Sequence, residues 1–188
     1  MILKKLEKCL KSEKAGKEIF DIVVYGSLVK GKYKARDIDI LVIFLAGSLE
    51  ERLNAIQAIK NKIKEKLEED IDIKQILLKD LFSNEFMART GVFFEGISIF
   101  KNRKFCETLG FRSYSLFWYN LKGLNHSQKV KFNYILAGRK KEGILKMLNG
   151  IRISAGVVKI PLEHSMEFDE ILKRSNVEYK KKDILEEL

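Results

Sequence analysis

Two apolar runs, residues 19–24 and 40–45, enclose Tyr25-Gly26-Ser27 and, nine residues beyond Ser27, Arg36-Asp37-Ile38-Asp39-Ile40. The order reads as strand, glycine turn, short connection and a second strand that begins with two carboxylates. Residues i and i+2 of a strand share a face, so Asp37 and Asp39 point one way while Ile38 and Ile40 point into the core. Carboxylates at that spacing, roughly 6–7 Å, repel by about 2–3 kcal/mol at an effective dielectric of ~20. A compensating cation is therefore expected, and carboxylate oxygens suit a divalent ion such as magnesium. Gly26-Ser27 supplies the complement: a glycine turn lets backbone N–H groups approach a phosphate, and a serine hydroxyl can reach a phosphate oxygen.

Gly26-Ser27, the nine-residue spacing and Asp37-Ile38-Asp39 between apolar residues together resemble the signature of the DNA polymerase beta-like nucleotidyltransferase superfamily, in its small stand-alone form. The resemblance covers about residues 15–100. It implies an α/β (α+β) nucleotidyltransferase-type mixed sheet with flanking helices. It also implies a third carboxylate on a later strand within an apolar-acid-apolar triplet. Ile71-Asp72-Ile73 fits; Asp70 shares that strand face, but its isoleucine brackets select Asp72. On this resemblance Asp37, Asp39 and Asp72 are the catalytic and metal-binding residues for two Mg2+ ions, and Gly26 and Ser27 bind ATP or another nucleoside triphosphate. One departure is Arg36, where the family commonly has a serine before the first aspartate.

Charge is distributed unevenly along the 188 residues. The chain nets +10, yet residues 112–159 hold ten Lys or Arg against the single acid Glu142, a net of +9. Residues 160–188 hold five basic and eight acidic groups, a net of −3. The basic segment 112–159 is expected to meet RNA or an acidic protein partner. Two isolated cysteines and two isolated histidines make no metal-ligand spacing. No apolar run approaches the ~18 residues of a membrane helix, and the N-terminus lacks the pattern of a signal peptide. The expected location is the cytoplasm, and no oligomeric state follows from the sequence.

Periodicity supplies the remaining elements. Residues 2–15 are expected to be an amphipathic helix closed by Gly16, residues 18–25 and 37–45 strands, and 28–30 a helical turn broken by Gly31. Lys30, Lys32, Lys34 and Arg36 crowd the motif, where one or two could meet a triphosphate tail. Ser48 and Glu51 have capping-box spacing ahead of a helix over 49–69, followed by a strand over 71–78, a helix over 79–88 and a strand over 92–100. The catalytic domain is expected to span residues 1–104 and a smaller helical or α+β domain residues 105–188. In the latter, Tyr114, Phe117, Trp118, Leu121 and Leu124 fit helical spacing. Further helices are expected over 127–136, 141–148 and 166–174, with strands over 151–160 and 177–179 and a charged tail.

The function implied is transfer of a nucleoside monophosphate, AMP from ATP in the first instance, to a hydroxyl on a protein, RNA or small molecule. Pyrophosphate is released. The alternative is a non-catalytic nucleic-acid-binding or antitoxin-like partner-binding protein on the same fold.

Overall fold

The structure is a computed structural model, and it describes residues 2–14, 18–26, 29 and 37–188. Ser27, the 28–30 turn apart from Val29, Gly16, Gly31, Lys30, Lys32, Lys34 and Arg36 lie outside the described residues. The chain divides into two compact units, Met1–Phe111 and Arg112–Leu188.

The first unit is a five-stranded mixed sheet in the order β3-β2-β1-β4-β5. Its strands are β1 (Ile19–Tyr25), β2 (Asp37–Phe44), β3 (Asp70–Leu77), β4 (Ile97–Ser98) and β5 (Arg103–Lys104). β1 runs antiparallel to β2 and β4, whereas β2 and β3 are parallel. A parallel pair needs a crossover, here α2 (Leu49–Lys64), whose capping box is closed: Glu51 N–H donates to Ser48 Oγ and Ser48 N–H to Glu51 Oε2. Alternation along β1 and β2 divides the core in two. Ile22, Val24, Ile38, Ile40, Val42 and Phe44 pack under α2 and α1 (Ile2–Leu10). Val23, Tyr25, Leu41 and Ile43 face the opposite way and are covered by Leu81, Val92, Phe93 and Phe105.

Within this unit the helix expected over 79–88 and the strand over 92–100 are replaced by a 3-10 turn at Leu78–Asp80 and a helix, α3, at Arg89–Glu95. Gly91 sits inside α3 and does not break it; Val92 and Phe93, buried beneath the sheet, outweigh the roughly 1 kcal/mol a helical glycine costs. The strand shrinks to Ile97–Ser98, preceded by Gly96. A short helix, α4 (Phe105–Thr108), follows β5.

The second unit is a four-stranded sheet in the order β7-β8-β6-β9, with β6 at Phe111–Asn120, β7 at Ile151–Ser154, β8 at Val157–Pro161 and β9 at Glu178–Glu187. Helices α5 (His126–Ala137), α6 (Ile144–Met147) and α7 (Ser165–Arg174) complete it. Its core gathers Phe117, Tyr119, Val158 and Ile160 with Phe132 and Leu136 of α5 and Phe168 and Leu172 of α7. The helix expected through Tyr114, Phe117 and Trp118 is instead β6. Phe117 and Tyr119 are buried, whereas Trp118, between them, is 40% exposed, which is strand alternation. The strand expected over 151–160 is a hairpin turning at Gly156 (φ +81°), and the charged tail is a ten-residue strand. The Ser115 hydroxyl binds that strand through Asp183 Oδ1 at 2.5 Å and meets Ser165 Oγ of α7 at 2.7 Å.

Candidate active site

The parallel register of β2 and β3 sets the site. Asp37 lies opposite Asp70 and Asp39 opposite Asp72. Neighbouring in-register residues share a sheet face, so four carboxylates are carried on one side of two adjacent strands. On the other side Ile38, Ile40, Ile71 and Ile73 contribute to the core. Tyr25 of β1 is opposite Asp39 on its second flank. The isoleucines anchor the strands, and the alternation they impose leaves the acids nowhere else to point.

Gly26 follows Tyr25 with φ +80°. A Cβ built on it would fall 2.2 Å from Asp39 Oδ2 and 3.1 Å from Asp39 Cγ. Glycine is thus required twice, for the left-handed backbone and for the space the Asp39 carboxylate occupies. This contact joins the two halves of the sequence motif.

Asp39 is half-buried, and its carboxyl is held above the usual carboxylate range, first by burial, then by the charge of Asp72; Lys74 opposes the shift and Asp37 adds to it. Lys74 Nζ lies 3.3 Å from Asp72 Oδ2. The ammonium is itself held above the ordinary lysine range, first by the Tyr25 oxygen and then by its bond to Asp72. Tyr25 is only 7% exposed, and its hydroxyl is buried without a well-formed hydrogen bond, the Lys74 ammonium lying within weak reach of it. Burial raises its pKa, Lys74 works against that, and Asp39 and Asp72 add to it. Beside Asp37, Asp70 and Asp72 opens a cavity of about 480 Å³ that Lys60 and Lys64 also line, a volume within the range of small-molecule sites; Asp39 and Gly26 are not in its lining.

The structure therefore brings Gly26, Asp39 and Asp72 to one place and sets Asp37 on the same face one residue pair away. Ser27 lies outside the described residues. Among the described residues no three acidic, histidine or cysteine side chains converge closely enough to hold a metal ion as they stand. The donor chemistry nevertheless fits a divalent cation. Hard carboxylate oxygens are placed side by side, a neighbour's charge already penalises Asp39, and a cation, the Lys74 ammonium, stands against Asp72. Sequence reasoning misses Lys74 and Tyr25 as site residues. Their signals are the i+2 spacing of Lys74 from Asp72 and the place of Tyr25 directly before the glycine turn.

A mixed sheet carrying paired acids beside a glycine turn defines a nucleotidyltransferase-type unit. Residues 4–103 match the family described as Polymerase beta, Nucleotidyltransferase. That is more than half of the chain, and the protein belongs to this family. No curated protein matches it. Among the described residues no helix is long and apolar enough to cross a membrane.

Proposed function

We propose that the protein is a magnesium-dependent nucleotidyltransferase that moves a nucleoside monophosphate, AMP from ATP in the first instance, onto a hydroxyl acceptor with release of pyrophosphate. The observation that carries this reading is the in-register pair Asp39/Asp72 with the Asp39 carboxylate seated against Gly26. Asp37, Asp39 and Asp72 would hold two Mg2+ ions. When bound, the metal neutralises triphosphate charge and makes the acceptor hydroxyl easier to deprotonate. Asp72, exposed on the outer strand, would orient the acceptor hydroxyl and take its proton. Gly26, through its backbone N–H, and Ser27, through its hydroxyl, would hold the β- and γ-phosphates. The chain's contribution is alignment and charge placement, which is most of what phosphoryl-type transfer requires.

The test is transfer of label from α-labelled ATP, with magnesium, to a lysate, an RNA pool or the protein itself. Asp39→Asn is expected to abolish labelling. In parallel, magnesium with ATP should raise the melting temperature of the wild type by linkage and leave that of Asp39→Asn unmoved. An equal rise in both would remove Asp39 as a ligand. Absence of labelling with all four triphosphates, together with no thermal shift, would refute the enzyme reading.

A second reading rests on the cations of the second unit. Lys159 is committed to Glu186 at 2.6 Å and Lys146 to Glu142 at 2.5 Å, while Arg139 stacks 4.9 Å from the Tyr134 ring centroid. Lys129, Lys131, Lys140, Lys141 and Arg152 form no ion pair among the described residues. We propose that segment 112–159 meets an RNA or an acidic protein, either to present the acceptor or, in the antitoxin-like alternative, as the whole function. Steeply salt-dependent RNA binding that survives Asp37→Asn would favour the non-catalytic form.

A further inference from the structure

We propose that Lys74 is a resident counter-cation of the acidic site: its ammonium occupies the place of a divalent ion against Asp72 and must leave that carboxylate before the metal can bind. The inference deepens the reading of this site as a metal site and rests on it. Lys74 is two residues beyond Asp72 on β3, so both side chains rise from the same face, and it is in register with Leu41, two residues beyond Asp39. Nζ stands 3.3 Å from Asp72 Oδ2, and the two side chains are 54% and 52% exposed. A pair so open to water is weak and exchanges partners readily. The same ammonium lies in the fields of Tyr25 and Asp39. The Tyr25 hydroxyl is buried and makes no well-formed hydrogen bond, a costly state for a polar group, and the Lys74 ammonium already lies within weak reach of it. It can therefore take up fully the ammonium that Asp72 releases.

Lys74 thus has two resting places. Against Asp72 it relieves the repulsion among acids that would otherwise face one another without a counter-ion. Donating to the Tyr25 oxygen, it would leave the carboxylates free while staying close to the site. The arrangement also accounts for the acids not converging: with an ammonium beside Asp72, three carboxylates have no cause to close on one point.

The test is Mn2+ binding to the full chain, followed by the loss of the free-ion electron paramagnetic resonance signal. It compares wild type, Lys74→Met, Tyr25→Phe and Lys79→Met, the last removing the same charge from an exposed position just past β3. Methionine keeps the length of the stem and removes the competitor. Lys74→Met is expected to bind Mn2+ about two- to fivefold more tightly than wild type, the scale of one exposed charge pair, with Lys79→Met indistinguishable from wild type. Tyr25→Phe is expected to bind more weakly than wild type because the displaced ammonium loses its second place. If Lys74→Met matches Lys79→Met, or binds more weakly than wild type, the counter-cation role is refuted while the metal site stands. An unchanged Tyr25→Phe refutes the second resting place. If no variant binds Mn2+, the metal site itself fails and Lys74 with it.

Discussion

Gly26→Ala is the substitution on which the geometry of the site bears most directly. Two costs follow from the structure. A left-handed residue with a Cβ costs about 1–2 kcal/mol, and Gly26 has φ +80°. The new methyl would also stand 2.2 Å from Asp39 Oδ2, so the carboxylate must turn away, at about 0.5–1.5 kcal/mol if it leaves its rotamer. The sum is about 1.5–3.5 kcal/mol. For a unit the size of residues 1–111 this corresponds to a fall in melting temperature of roughly 6–15 °C. A double-mutant cycle separates the two costs. With Asp39→Ala the nearest remaining Asp39 atom is Cβ, 3.5 Å from the place the new methyl would take and an ordinary contact. The Gly26→Ala cost measured in the Asp39→Ala background should therefore drop to the backbone share, a coupling of about 1 kcal/mol by urea denaturation. Strict additivity would refute the claim that Gly26 is there to make room for Asp39. A Gly26→Ala protein as stable as wild type would refute the strained turn as well.

Two further outcomes test the burial pattern of each unit. Asp21 is fully buried, accepting from Ile22 N–H at 2.8 Å and Ser98 Oγ at 2.7 Å, and burial holds its carboxyl above the ordinary range despite those bonds. The folded protein then binds its proton more tightly than the unfolded chain, so this group's stabilisation is full below the unfolded pKa of ~3.9 and is lost as pH rises through the folded value. Asp21→Asn should flatten that decline, and urea midpoints that track wild type at every pH from acid to neutral would exclude Asp21 as its source. In the second unit Phe117→Ala should cost about 3–5 kcal/mol, since the ring is buried 4.9 Å from that of Phe168. Trp118→Ala, on the open face of the same strand, should cost well under half as much, whereas equal losses by chemical denaturation would contradict the strand assignment.

How far the fold is legible in the sequence depends on whether the deciding contact is local. β1, β2 and the α2 cap are legible because their signals lie within a few residues: apolar runs, the Gly26 turn and Ser48 with Glu51. Periodicity misreads the segment 111–120 because two periods compete in it. Tyr114, Phe117, Trp118 and Leu121 satisfy helical spacing, but Ser113, Ser115, Phe117 and Tyr119 alternate equally well. Distant partners make the choice: Phe132 and Phe168 cover Phe117 and Tyr119, and Asp183 reaches Ser115 from the far end of the chain. The 178–187 tail looks like a solvated run because it is an edge strand, where charge protects against unwanted pairing.

At the site the same division holds with more consequence. That Asp37 and Asp39 share a face follows from strand geometry alone. That Asp72 stands beside Asp39, and that Lys74 therefore reaches the same carboxylates, follows only from a parallel register fixed across the α2 crossover. A slip of one residue would turn Asp72 and Lys74 to the opposite face and bring Ile71 and Ile73 round to the acids. Ile71 and Ile73 pack into the core under α1 and α2, so the slip would expose apolar surface and bury charge together. The core beneath the sheet is thus what places the acids above it, and a substitution that loosened Ile73 should disturb the site without touching any of its polar groups.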